Sequence, residues 1–220
     1  CLAVRCMKSS AVEASHGLAE LTFDGGTLAA LADAADFIAP NVAVRMTAAG
    51  GAFDTAGDDV TVSNVFAQAA DAGTSLSPFT KVGAGTLRFV AAPTFANALA
   101  VSEGLLAFEP AGTTTLTSPF LFNGGTLRLR VNEQVLDAAA GVTVAQPSAI
   151  LLDIADGTPS GTYPLIENFG ADTPIDALTA RLVREVGTAH FVKDGATLCV
   201  ALEIDTSFPR TARWSGGAGT

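Results

Sequence analysis

The 220 residues carry 22 acidic and 12 basic side chains, a net charge of −10, and no cluster of Lys and Arg offsets the excess locally; such a surface repels phosphodiester backbones and argues against a nucleic-acid partner. Apolar residues at 49% against charged residues at 15% exclude generic disorder and leave material for a large core. No apolar run approaches the ~18 residues of a membrane-spanning helix, because Asp33, Asp36 and Asp153 break the best candidates.

Residues 1–20 read as an irregular N-terminal segment. The three cysteines, Cys1, Cys6 and Cys199, contain no C-x-x-C pair, which argues against a zinc site or a disulfide framework. A Cys1–Cys6 bridge would still leave Cys199 free. The start at Cys1 reads as the beginning of a fragment rather than the acylated cysteine of a mature lipoprotein, because no signal segment stands before it.

From residue 21 to residue 146 a small-residue corner followed by an alternating strand recurs. It is seen in F-D-G-G-T-L (Phe23–Leu28), K-V-G-A-G-T-L-R-F (Lys81–Phe89) and F-N-G-G-T-L-R-L (Phe122–Leu129), with a weaker copy in S-E-G-L-L-A-F (Ser102–Phe108). A further weak copy, D-G-A-T-L-C-V, lies at Asp194–Val200. Leu87-x-Phe89 is followed by Leu106-x-Phe108 after 19 residues and by Leu127-x-Leu129 after a further 21. Val142-x-Val144 comes 15 residues later, and upstream Val42-x-Val44 precedes Val60-x-Val62 by 18.

Period-two strands at a drifting interval of about 20 residues predict a β-solenoid with one coil per repeat. Leu87 and Phe89 then face the core, while Lys81 and Arg88 face water. Leu127, Leu129 and Val131 likewise turn inward, with Arg128 and Arg130 outside. Gly83 and Gly85 turn a corner that needs φ > 0, a conformation Asp24 and Asn123 also tolerate. Coils ~4.8 Å apart would number roughly ten, a rod of about 50 Å.

Two segments also fit a helical period. Leu28, Leu31, Ala35 and Ile38 share a face opposite Asp33 and Asp36, and Leu178 and Leu182 align within residues 177–185. Both runs are short, and the first follows Gly25-Gly26 directly, so the non-helical reading is preferred for each. Residues 147–205 form a less regular, strand-rich closing region. It is punctuated by Pro147, Pro159, Pro164 and Pro174 and by the turn signals Asp156-Gly157 and Asp194-Gly195. Strands are expected there at 149–154, 163–169 and 197–204. Residues 206–220, running through Pro209 to Trp214, read as a linker or the start of a following repeat block.

The order of F-D-G-G-T-L, G-G-A-F-D-T-A-G-D-D-V-T-V (Gly50–Val62) and K-V-G-A-G-T-L-R-F resembles the autotransporter-associated β-strand repeat of large bacterial passenger proteins. The stretch from Thr94 to Leu106 occupies the place of the next repeat motif. There Phe95 stands for the aromatic, Asn97 for a glycine through its αL tolerance, and Leu99 for the usual threonine. The resemblance covers roughly residues 21 to 220. It implies a right-handed parallel β-helix, outside the cell or on the surface of a Gram-negative-type bacterium in association with its outer membrane. The implied role is a non-catalytic stalk or adhesion scaffold. Its partner would be a surface or extracellular ligand, carbohydrate or host or cell-surface protein. Serial ~10-residue amphipathic strands with aromatic girdles are missing, so a translocator barrel is expected only beyond Thr220.

A search for chemistry assigns no catalytic, cofactor-binding or metal-ligating residue. In K-V-G-A-G-T-L-R-F the lysine precedes the glycines, Arg88 stands where a dinucleotide fingerprint has its third glycine, and a strand follows instead of a helix. His16 and His190 are isolated, and Thr74–Ser77 has no histidine near it in sequence. Asp54, Asp58 and Asp59 cluster around a glycine, and Asp153 and Asp156 precede Gly157. Carboxylates so placed can bind Ca²⁺ or, on a β-helix groove, cleave a polysaccharide as a lyase or glycosidase does. They match no known Ca²⁺ loop, and turn formation is the simpler reading. Trp214 is assigned to packing rather than to sugar stacking.

Overall fold

A strand of alternating apolar side chains buries only one face, and here that face is buried by winding. In the computed structural model residues 2–9, 11–13, 19–70 and 76–205 are described. The chain is all-β and stacks its parallel sheets as a solenoid of about six turns.

The six-stranded sheet shows the construction most clearly. Asp59–Val62, Thr86–Phe89, Leu105–Phe108, Thr126–Val131, Ser148–Ile154 and Leu178–Leu182 lie side by side in that order. Leu106 sits in register with both Leu87 and Leu127, and Leu127 with Ile150, so the inward residues form a column. A nine-stranded sheet carries Phe79–Val82, Leu99–Val101, Phe120–Asn123 and Val142–Gln146 along one wall. Leu2–Ser9 pairs in parallel with Ala19–Ala30 in this sheet, so strand structure begins ahead of residue 21. A five-stranded sheet forms the third wall at the C-terminal end. Gly112–Leu116, Gln134–Ala138 and Gly161–Glu167 stack in parallel there. Thr197–Ile204 then runs antiparallel to Gly161–Glu167 and to Gly187–Asp194, which interrupts parallel stacking on that wall.

Phenylalanine fills the centre. Phe66 contacts Phe23, Phe79 and Phe89 with ring centroids 5.8, 5.5 and 5.3 Å apart. Phe95 and Phe108 extend the cluster from Phe79 and Phe89. Leu87, Phe89, Leu127, Leu129 and Val131 are buried, as their alternation predicts.

Several expectations need correction. The turns number about six, not ten, because a turn must supply up to three strands and their corners. Along the six-stranded sheet, 27 residues separate Val60 from Leu87 and 30 separate Ile150 from Ala180. Val142-x-Val144 stacks on Phe120 and Phe122 rather than on Leu127 and Leu129. Val42-x-Val44 and Val60-x-Val62 belong to different sheets. Similar apolar pairs recur on every wall of a coil, so linear spacing alone merges the columns. Neither helical candidate is helical, in line with the reading preferred from the sequence. Leu28–Ala30 ends a strand, Ala34 and Ile38 make parallel bridges to Val60 and Val12, and Leu178–Leu182 is a strand.

The αL positions also differ. Positive φ falls on Gly25 and Gly124 next to Asp24 and Asn123, while Asn97 is absent from the residues with φ > 0. Asn97 is instead buried, and its amide nitrogen donates to the carbonyls of Thr47 at 3.0 Å and Ser77 at 2.6 Å. A glycine could leave those carbonyls unmet; a buried amide satisfies them.

At the corner of K-V-G-A-G, Gly83 has φ +78°, whereas Gly85 is not at positive φ and is required by space instead: a Cβ there would sit 2.0 Å from the Asp58 carbonyl oxygen and 2.6 Å from its amide nitrogen. Gly85→Ala is therefore expected to lower stability by about 3 kcal/mol. Gly57→Ala, where nothing lies within 4 Å of an added Cβ, should change it by less than about 0.5 kcal/mol. Urea unfolding of both variants checks this, and equal stabilities would contradict so close a stacking of corners.

Candidate functional site

Two places gather polar side chains: the corner after Phe79–Val82 and the outer face of the six-stranded sheet. In the first, the expectation that Lys81 faces solvent is overturned. Phe79 sets the inward phase of its strand, and two residues on, Lys81 points into the core in register with Phe53 and Val101. Its ammonium donates to Thr55 Oγ1 at 2.8 Å and to the carbonyls of Val82 at 2.8 Å, Gly83 at 2.6 Å and Glu103 at 3.2 Å. These acceptors belong to three successive corners, so one buried cation ties three coils. Burial lowers its pKa from 10.5 to about 8, against the raising influence of the Asp54 and Glu103 carboxylates. The Glu103 carboxylate also accepts from the Gly83 amide at 3.0 Å. With its three protons directed at protein oxygens, this lysine is a structural tie.

The acidic candidates separate into turn and ladder roles. Asp54 Oδ1 accepts from the Ala56 amide at 2.7 Å, the turn contact expected of such residues. The Asp59 amide donates to Asp33 Oδ1 at 2.7 Å, and Asp59 Oδ2 lies 3.5 Å from the Arg88 guanidinium. Asp58 engages through its backbone, donating to the Thr55 carbonyl and accepting from the Thr86 amide. Asp153 pairs with Arg128, and Asp156 lies 2.8 Å from Arg184. Among the described residues no three His, Cys, Asp or Glu side chains gather as a metal site.

His190 is exposed on Gly187–Asp194. Cys199 is a buried free thiol, and burial, then Asp194, pushes its pKa up and away from thiolate chemistry. His16, Thr74, Ser75, Trp214 and Cys1 lie outside the described residues, as does the side chain of Cys6.

The second place was only partly read from the sequence. On the outer face of the six-stranded sheet, Arg88, Ala107, Arg128, Leu151 and Arg181 stand in one register column. Beside them Thr86, Leu105, Thr126, Ala149 and Thr179 form another. Strands bearing Thr-x-Arg thus alternate with strands bearing two apolar outward residues. The Arg88 guanidinium lies 3.5 Å from Asp59 and 3.8 Å from Glu109, with both carboxylates well exposed. Arg128 pairs with Asp153, and Arg181 is exposed. Next to Ala107 is a recess of about 40 Å³ lined by Phe108, Glu109, Arg128, Arg130 and Gln134. Arg130 Nε is buried there, 3.4 Å from Glu133 but without a hydrogen-bond partner.

No protein family, curated protein or solved structure gives a match to this chain.

The lowered pKa of Lys81 has a measurable consequence. The unfolded chain holds this proton more tightly than the folded one, so the buried ammonium opposes folding at neutral pH. That opposition is relieved as pH rises from about 8 to 10.5. The stability of the native protein minus that of Lys81→Met is expected to rise across this window. Thermal unfolding of both proteins between about pH 7 and 11 measures the difference. A flat or falling difference would contradict a buried ammonium at this corner.

Proposed function

We propose that this chain is a non-catalytic segment of a secreted or surface-exposed passenger of the autotransporter type, serving as stalk or adhesion scaffold. The observation that carries the reading is the stack itself. Thr86–Phe89, Leu105–Phe108 and Thr126–Val131 are paired in register on both sides, over a closed apolar column. Such a ladder couples each coil to its neighbours, resists local opening, and holds an outer face at fixed spacing. The motif order that resembles the autotransporter-associated repeat supplies the cellular context.

The polysaccharide-cleaving alternative needs carboxylates converging on an exposed groove. Asp54, Asp59, Asp153 and Asp156 are each engaged in a turn or an ion pair, which favours the scaffold.

In the bacterium that makes it, an antibody against residues 79–131 is expected to label intact cells, and protease added outside should release the epitope. Labelling that appears only after permeabilisation would overturn the surface reading. For the isolated chain, amide exchange is expected to be slowest in Leu105–Phe108 and Thr126–Val131, whose strands have partners on both sides. Fast exchange in those strands would contradict a stiff scaffold.

A further inference from the structure

We infer that the outer face of the six-stranded sheet is a binding stripe for an extended polysaccharide carrying one anionic group per disaccharide. This rests on the scaffold reading above and names what the scaffold would hold. The argument begins with register. Arg88, Arg128 and Arg181 occupy one column on alternate strands, separated by Ala107 and by Leu151. Neighbouring strands lie ~4.8 Å apart, so successive arginine positions are about 9.6 Å apart. One strand spacing is close to the advance of one sugar along an extended β-linked chain, and two spacings are close to one disaccharide.

The chemistry alternates with the same period. The Thr126–Arg128 and Thr179–Arg181 rows offer hydroxyl and guanidinium groups, and Arg88 a guanidinium above a buried Thr86; these suit a carboxylate or sulfate and a neighbouring sugar hydroxyl. Between them the half-buried Leu105 and Leu151 offer apolar contact for an uncharged sugar, while Ala107 and Ala149 lie buried beneath the flanking side chains. The recess of about 40 Å³ beside Ala107 opens toward Glu109, Arg128, Arg130 and Gln134, at one edge of the stripe. A neutral polymer would leave Arg181 without a counterpart, and one charged on every sugar would set carboxylates over Leu105 and Leu151.

The acidic neighbours do not close the stripe. Asp59 and Glu109 pair with Arg88 at 3.5 and 3.8 Å through well exposed carboxylates that a ligand anion can displace, and Arg181 has no ion-pair partner among the described residues. Asp153 holds Arg128 from the neighbouring column and fixes its position. The overall charge of −10 opposes a polyanion elsewhere on the surface, so attachment rests on these arginines and added salt should weaken it.

The test is direct binding of the purified chain to hyaluronan oligosaccharides, with one carboxylate per disaccharide. Cellohexaose serves as the neutral probe, and oligogalacturonate as the probe charged on every sugar. Hyaluronan is expected to bind most tightly and to weaken with added NaCl. Arg181→Glu, at an exposed position where the fold is undisturbed, should weaken it by about tenfold or more. The combined Arg88→Gln, Arg128→Gln and Arg181→Gln variant should abolish it, and Arg45→Gln, on another sheet, should leave it unchanged. Equal affinity for cellohexaose, tighter binding of oligogalacturonate, or indifference to Arg181→Glu would each overturn the stripe. These results are separable from the scaffold reading: absent binding leaves cell-surface labelling and slow exchange untouched, and failed labelling leaves the affinity of the purified chain as measured.

Discussion

The structure depends on parallel pairing in register between successive coils. Because strands alternate inward and outward residues, a slip of one position would drive Arg88 or Arg128 into the core and expose Leu87 or Leu127. Register is therefore enforced by the apolar columns as strongly as by the backbone ladder. Corners must then stack as closely as strands, which is why Gly83, Gly85 and Gly104 lie against the backbone of neighbouring corners with no space for a side chain.

Close stacking of corners creates a second requirement, since each corner turns carbonyl groups away from the ladder. Buried donors from other coils meet them. The Asn64 amide reaches the carbonyls of Ala39 and Val42, Asn97 those of Thr47 and Ser77, and Gln134 those of Phe108 and Pro110. Lys81 extends the same device to three corners with a charge. A buried ammonium is a costly way to meet carbonyls, and its lowered pKa is the electrostatic expression of that cost. The interior thus holds coils together by packing in the middle and by polar ties at the edges.

The outer surface inherits the same periodicity. Any residue repeated at one register position becomes a row of side chains at fixed spacing, whatever its distance in sequence. The six-stranded sheet uses this for a column of arginines, flanked by carboxylates from neighbouring positions. A stacked scaffold can thereby present a linear chemical pattern without a pocket, and a linear polymer is the kind of ligand that such a pattern fits.

The amino-acid sequence alone determined the fold class, because period-two strands and small-residue corners at recurring intervals have few other solutions. It also determined the inward faces of Thr86–Phe89 and Thr126–Val131, where strong alternation leaves one choice. Three things were decided only by the tertiary structure. Lysine usually lies exposed, and only the phase set by Phe79 and the carbonyls of three stacked corners turn Lys81 inward. Val142 and Val144 stack on Phe120 and Phe122, a wall that linear spacing does not reveal because it does not say which side of a coil a strand occupies. The Thr-x-Arg column stayed hidden because its third member, Thr179–Arg181, lay in a stretch with a helical period as well. Its alignment with Thr126–Arg128 exists only through the intervening strand Ser148–Ile154. Alternation is a local property of the chain and can be read locally. Which residues become neighbours across coils depends on where every intervening corner falls, and that is settled only when the coils stack.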